Sequence, residues 1–169
     1  MSKIRIKGDT SGYVDLETSS TGSNLSVTGN SVHIPGHVMQ VVNGLLPTGA
    51  SNNTASYVDT GLTATITPKF ATSKILIMVN ILAVENNTAQ EGTHVKLMRG
   101  STDLSEFGKY MGYTRTYMTN HPSFNYLDNP STTSATTYKV QFKRGQGSGI
   151  AYIGANSCTS SITLMEIAQ

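Results

Sequence analysis

Four histidines and a scatter of carboxylates are the residues that could do chemistry in this chain. His33 and His37 stand four apart, the spacing that brings two metal ligands to one face of a helix. Pro35-Gly36 lies between them and the flanks alternate like strands, so the pair marks a turn and not a zinc site. His94 sits beside Val95 in a strand pattern and is expected at a surface or interface. His121 precedes Pro122 and has no partner in sequence. Asp59, Glu85, Glu91, Asp103, Glu106, Asp128 and Glu166 could supply the two carboxylates of a glycosidase, but their spacing singles out no pair. No nucleophile elbow, H-E-x-x-H or phosphate loop is present. Arg144 to Gly149 (RGQGSG) is glycine-rich, yet it does not lead from a strand into a helix and reads as a flexible turn. The expectation is a protein with no catalytic residues, no metal and no cofactor. Asn24, Asn52 and Asn86 sit in N-x-S/T sequons, accidents of an Asn-, Ser- and Thr-rich chain that opens without a secretory signal.

Binding chemistry is concentrated in Gly108–Pro122. Tyr110, Tyr113, Tyr117 and Arg115 cluster there with Met111, Met118 and His121, without a clean period. Tyr and Arg dominate interaction hot spots. The stretch reads as a long exposed loop or weak strand. Its aromatic residues would pack on a neighbouring subunit or touch a receptor or glycan.

Twelve basic and 10 acidic residues leave a net charge of +2, and charged residues make up 13% of the chain. That is too weak and too dispersed for a nucleic-acid footprint. The longest apolar run falls far short of the roughly 20 residues that a membrane helix needs. The start, MSKIRIKGD, lacks the apolar core of a signal peptide. Cys158 is alone, which excludes an intrachain disulfide and fits a small core residue in a reducing cytoplasm.

The elements that must position these residues are strands. In Val58–Val84 the first half alternates: Leu62, Ala64 and Ile66 face one side and Thr63, Thr65 and Thr67 the other, a strand with one buried face. Pro68 stops it. Ile75 to Val84 is almost continuously apolar and β-branched, a strand covered on both faces in the middle of a sheet. Val38 to Leu46 is a strand in which Asn43-Gly44 marks a hairpin, a bulge or a simple turn. Val95 and Leu97 point inward from Thr93–Met98, and Arg99–Thr102 turns into Asp103–Phe107. Phe124 begins a strand that ends at Asp128-Asn-Pro130. Tyr138, Val140 and Phe142 face inward from Thr136–Lys143. Gly149–Ala155 and Ser161–Ile167 are the last strands, with Ile162 and Leu164 on the face opposite Thr163 and Met165 and Glu166 a candidate for the same face. No window has helical periodicity. About eight strands after residue 37, with a turn signal every 8–14 residues or so, make an all-β sandwich of jelly-roll type. An immunoglobulin-like sandwich is the alternative; it would usually show a core Trp, and the chain has none.

Residues 1–36 read as an N-terminal β arm ahead of a sandwich domain spanning 37–169, with Pro35-Gly36 as the boundary. Ile4 and Ile6 can pair with Leu16 and Val14 in a small hairpin, basic residues facing acidic ones. Leu25–Val27 and Val32–Ile34 are further short alternating pieces. So thin a ribbon is marginal alone in water, so it lies on another surface or winds with copies of itself. The interface expectation is therefore Ile4, Ile6, Val14 and Leu16 in the arm, with Tyr110, Tyr113, Arg115 and Tyr117 in the body.

Several stretches resemble virion structural proteins of tailed bacteriophages, especially those of cyanobacterial and marine hosts. They are Val58 to Pro68 (VDTGLTATITP), Ser73 to Ile77 (SKILI), Leu97 to Thr102 (LMRGST), Tyr126 to Tyr138 (YLDNPSTTSATTY) and Ser161 to Ile167 (SITLMEI). In the arm, Gly8 to Leu16 (GDTSGYVDL) resembles the G-x-T-S-G-x-V-x-L units of phage fibre and decoration proteins. The resemblance covers most of the chain and rests on strand-and-turn patterns, which identify a lineage without defining a site. It implies a non-enzymatic homotrimer exposed on a virion, on head or tail, and assembled in the host cytoplasm. One implied role is a capsid decoration (cement) protein docked by its arm on the major capsid protein or another virion protein. The alternative is a tail fibre or spike whose sandwich binds a host receptor or glycan. The chain has no long repeat shaft, which favours decoration.

Overall fold

The computed structural model describes residues 3–7, 13–17, 35–88, 90–113 and 118–169, the first two segments by their backbone. The chain divides into two compact units, Met1–His33 and Ile34–Gln169. In the first, β1 (Lys3–Lys7) and β2 (Tyr13–Glu17) form an antiparallel hairpin. Ile4 pairs with Leu16, Ile6 with Val14, and Arg5 with Asp15. The strands expected at 25–27 and 32–34 lie outside the described residues.

The second unit is built on eight principal strands: β3 (Val38–Leu46), β5 (Val58–Ile66), β6 (Lys74–Asn80), β8 (Thr93–Arg99), β9 (Thr102–Met111), β10 (Ser123–Asp128), β11 (Thr136–Arg144) and β13 (Ser160–Ile167). They form two four-stranded antiparallel sheets, ordered β10-β6-β13-β3 and β5-β11-β8-β9. Eight strands shared between two sheets in this order are a jelly roll. Three short strands, β4 (Ala50–Asn52), β7 (Glu85–Asn86) and β12 (Ala151–Ile153), make a small third sheet.

Alternation sets the inward faces. Leu62 and Ile66 of β5, Ile75, Ile77 and Val79 of β6, and Val95 and Leu97 of β8 are fully buried. Tyr138, Val140 and Phe142 of β11 and Ile162 and Leu164 of β13 join them. The two halves of the Val58–Val84 stretch lie in opposite sheets, because Pro68 and the turn after it carry the chain across the core. β6 is an inner strand of its sheet, but it ends at Asn80 and is not covered on both faces as expected: Ile75, Ile77 and Val79 are buried, while Leu76 and Met78 are only half-buried on the outer face.

The structure corrects several sequence expectations. Asn43-Gly44 is neither hairpin nor bulge: β3 runs straight through it, with Asn43 opposite Thr163 and Gly44 opposite Ile162. Glycine is needed there because a Cβ would stand 2.0 Å from the Thr63 carbonyl oxygen of the facing sheet. The last part of the expected strand Gly149–Ala155 is instead a 3-10 turn, Ala155–Ser157, entered through Gly154 at φ +67°. Cys158 follows that turn half-buried and lies outside the core.

One core residue is only partly apolar in function. The Tyr138 hydroxyl donates to Asp128 at 2.6 Å, and Arg99 Nη1 holds the same carboxylate at 2.8 and 3.0 Å. Burial, reinforced by the bond to Asp128, drives the phenol pKa up, so it remains a donor. Tyr138→Phe keeps the ring and removes one buried hydrogen bond. It should lower stability by about 1–2 kcal/mol in urea denaturation, since Arg99 still holds Asp128.

Candidate interaction surfaces

The seven carboxylates that could have paired for catalysis each have a local partner. Asp59 accepts from Lys139 at 2.8 Å and Gln141 at 2.6 Å; burial would raise its pKa, but these donors hold it below the usual range. Glu106 is held low first by the Tyr57 hydroxyl, and it also pairs with Lys109 at 3.1 Å. Asp103 pairs with Lys96 at 2.9 Å, Asp128 with Arg99, and Glu85 accepts from Thr119 at 2.6 Å. Glu91 accepts from the backbone N–H of Ser148, at 2.8 Å, and of Gly149. The glycine-rich turn 144–149 thus wraps an anion of the chain itself. Glu166 is fully buried on the inner face of β13 and accepts from Gln40 Nε2 (2.6 Å) and the backbone N–H groups of Lys69 and Phe70 (2.7 and 3.3 Å). Among the described residues no three His, Cys, Asp or Glu side chains gather around a metal-sized site. His121 Nδ1 accepts from the Ala83 N–H at 3.1 Å.

The tyrosine stretch is partly strand. β9 continues to Met111, beyond the expected end at Phe107, and Asn120 forms a β-bridge with Val84. Register shifts along the β8–β9 pair accompany a left-handed Tyr110, at φ +55°. Gly92 lies against it, where a Cβ would come within 2.4 Å of Tyr110 Cα. The Tyr110 ring meets Tyr113 edge-on at 5.6 Å and His94 edge-on at 4.7 Å. Of the two places expected for His94, surface or interface, the first does not hold: it is buried within the chain, and the tyrosine at the end of β9 covers it. Neither ring nitrogen has a hydrogen-bond partner; Glu106 lies 3.3 Å from Nδ1 without hydrogen-bond geometry. Desolvation, then the charge of Lys143, pushes the imidazole pKa down and keeps the ring neutral. Above this layer Tyr110, Tyr113 and Gln146 line an open depression of about 310 Å³. Both tyrosines remain nearly half exposed.

Tyr110 and Tyr113 are thus brought together. Arg115 and Tyr117 lie outside the described residues. Ile4, Ile6, Val14 and Leu16 fall on the paired backbone of the hairpin.

A second surface went unnoticed in the sequence reading. The outer face of the β10-β6-β13-β3 sheet presents three rows across four strands. The first row is Val41, Met165, Leu76 and Leu127; the second is Asn43, Thr163, Met78 and Asn125; the third is Leu45, Ser161, Asn80 and Ser123. None of these residues is charged; Lys74, opposite Ile167 on the same face, stands beyond the first row. The polar ones satisfy each other: Asn43 donates to Thr163 Oγ1 at 2.8 Å and Ser123 to Asn80 Oδ1 at 2.6 Å. The signal was available in the alternation of Val41, Asn43 and Leu45 within β3. It becomes a patch only when strand order is known.

No family model matches the chain, and no curated protein sequence matches it. Among solved structures it is similar to the VP2 subviral particle of infectious bursal disease virus, with a TM-score of 0.49 and 12% identity over 96% of this chain and 41% of that one. It is also similar to the structure of the Gx strain of the same virus, with a TM-score of 0.42 and 14% identity over 98% of this chain and 46% of that one. The chain spans less than half the length of these two structures.

Proposed function

We propose that this chain is a non-enzymatic virion structural protein: a capsid decoration protein that docks on the head through its N-terminal ribbon and projects a jelly roll outward as a homotrimer. The observation that carries this reading is the division of strands. All eight principal strands of the jelly roll come from residues 38–167, and the β1–β2 hairpin belongs to a separate unit. A two-stranded ribbon gains stability by adding to another surface. The resemblance of Gly8 to Leu16 and of the body segments to phage virion proteins supplies the setting. Several ribbons from one oligomer would bind at the effective concentration set by the others, which ties capsid subunits together without any chemistry.

The exposed Tyr110 and Tyr113 beside Gln146 favour a second reading, a tail fibre or spike that contacts a host receptor or glycan. Deleting residues 1–36 separates the two. Decoration requires a folded body that no longer joins particles, with labelled full-length protein seen over heads. Undiminished incorporation of the truncation, or label confined to tails, would refute it.

A further inference from the structure

We propose that His94 and Tyr110 form an acid-operated latch: a proton taken up by the His94 ring releases the end of β9 and takes apart the tyrosine surface that it carries. The latch does not depend on the decoration or the fibre reading.

The first observation is a buried ring with no partner. His94 lies on β8, between β9 and β11, and is only 7% exposed. Neither ring nitrogen makes a hydrogen bond. Buried polar groups are nearly always bonded, so a site that leaves both nitrogens bare suits only a neutral ring. An imidazolium carries two N–H donors, and burying a charge without acceptors is costly. The edge-on contact with Tyr110 does not supply them.

The second observation is the charge around it. Lys143 of β11 stands opposite His94 in register, with its ammonium over the Tyr57 ring at 4.8 Å. Lys109 of β9 adds a second cation. Lys96, two residues along β8, is paired with Asp103 at 2.9 Å. Glu106 brings a carboxylate to 3.3 Å from Nδ1, but it already accepts from Tyr57 and pairs with Lys109 at 3.1 Å. Glu91, in the adjoining turn, is committed to the backbone N–H groups of Ser148 and Gly149. Gly145 closes the side of the ring, where a Cβ would stand 3.2 Å from Cδ2. A proton on His94 therefore meets two lysines and one carboxylate that is in use. Burial first, and Lys143 after it, hold the imidazole pKa below its ordinary 6.5.

The third observation is the cover. Tyr110 holds φ +55°, a left-handed backbone that a tyrosine disfavours. The Tyr113 N–H donates to its carbonyl at 3.1 Å, and Gly92 makes room at its back. Three register shifts interrupt the β8–β9 ladder beside it. Strained backbone and broken pairing make this the segment that opens before the β13 ladders do. Opening brings His94 to water, where its ring regains the ordinary affinity for a proton. The closed form binds that proton more weakly than the open form. Closure is therefore complete above about pH 6.5 and is lost as pH falls below it, by up to about tenfold in the opening equilibrium per pH unit. The Tyr110–Tyr113 depression beside Gln146 is thus a surface of the neutral protein, dismantled by acid.

The test is amide hydrogen exchange of the full chain between about pH 7.5 and 5.5, corrected for the intrinsic pH dependence of exchange. Protection over residues 108–113 should fall by at least about threefold across that range, while β13 keeps its own. H94F fills the site with a ring that takes up no proton, so its protection over 108–113 should not change with pH. A second measurement stands whether or not H94F folds. Titration of the wild-type His94 imidazole by NMR should give a midpoint below 6.5, and Y110A, which removes the cover, should raise it toward that value. Wild-type protection that is flat with pH, a loss shared by β13, a loss that H94F retains, or a Y110A midpoint no higher than that of wild type each overturns the proposal.

Discussion

Glu166→Ala should lower the stability of the jelly roll by about 3 kcal/mol at neutral pH, read as a shift in the urea midpoint at constant slope. The carboxylate is fully buried and accepts from Gln40 and from the backbone N–H groups of Lys69 and Phe70. It therefore fastens the turn after Pro68, where the chain crosses between sheets, to the end of β13. Alanine leaves those donors facing a hole. Glu166→Gln keeps the shape but turns an NH2 group toward one set of donors, so it should lose about half as much. Burial alone would raise the carboxyl pKa; the donors together outweigh it and hold the group below its ordinary value of 4.5. A depressed carboxyl contributes stability that is present above that ordinary value and is lost as pH falls through the folded value. The gap between wild type and Glu166→Ala should therefore be full at pH 7 and narrow below about pH 4.5. A gap that is independent of pH would show that shape, not charge, holds the turn.

Gly44→Val should cost about 3 kcal/mol or more and reduce the yield of folded protein. Its Cβ would stand 2.0 Å from the Thr63 carbonyl oxygen and 3.0 Å from Ile162 Cγ2. The first of these is backbone of the facing sheet and cannot rotate away. Either β3 leaves β13 or the two sheets part. Asn43→Ala is the control: it loses an exposed hydrogen bond to Thr163 and should change stability by under about 1 kcal/mol. Equal melting temperatures for Gly44→Val and wild type would mean that the sheets do not approach so closely at β3.

These two residues show what could be read from sequence. The period of two in Leu62, Ala64 and Ile66, in Tyr138, Val140 and Phe142, and in Ile162 and Leu164 marked inward faces that the structure has buried. It made Glu166 a candidate for the inner face but gave no sign of its backbone donors, which come from a turn about a hundred residues away in sequence. Gly44 was misread because Asn-Gly is a local turn signal, whereas its role is set by the opposite sheet. β4, β7 and β12 are two or three residues long, too short to show a period. His94, beside the inward Val95, was expected at a surface or interface. Its cover comes from Tyr110, which reaches it through a left-handed backbone that no pattern of side chains announces. The rows on the outer face of the β10-β6-β13-β3 sheet needed the strand order before they could line up.

The ends of the jelly roll are laced together: the Gly36 N–H donates to the Ala168 carbonyl at 2.8 Å, and the Ala168 N–H to His37 at 2.9 Å. This lacing has a mechanical consequence. Tension applied between residues 36 and 168 would peel β3 from β13 one rung at a time, at low force. Tension entering at residue 36 and opposed by the far side of the body would instead pull β3 lengthwise, so that all rungs of the β3–β13 ladder resist at once. A body anchored by its leading end alone is therefore loaded in its tougher direction.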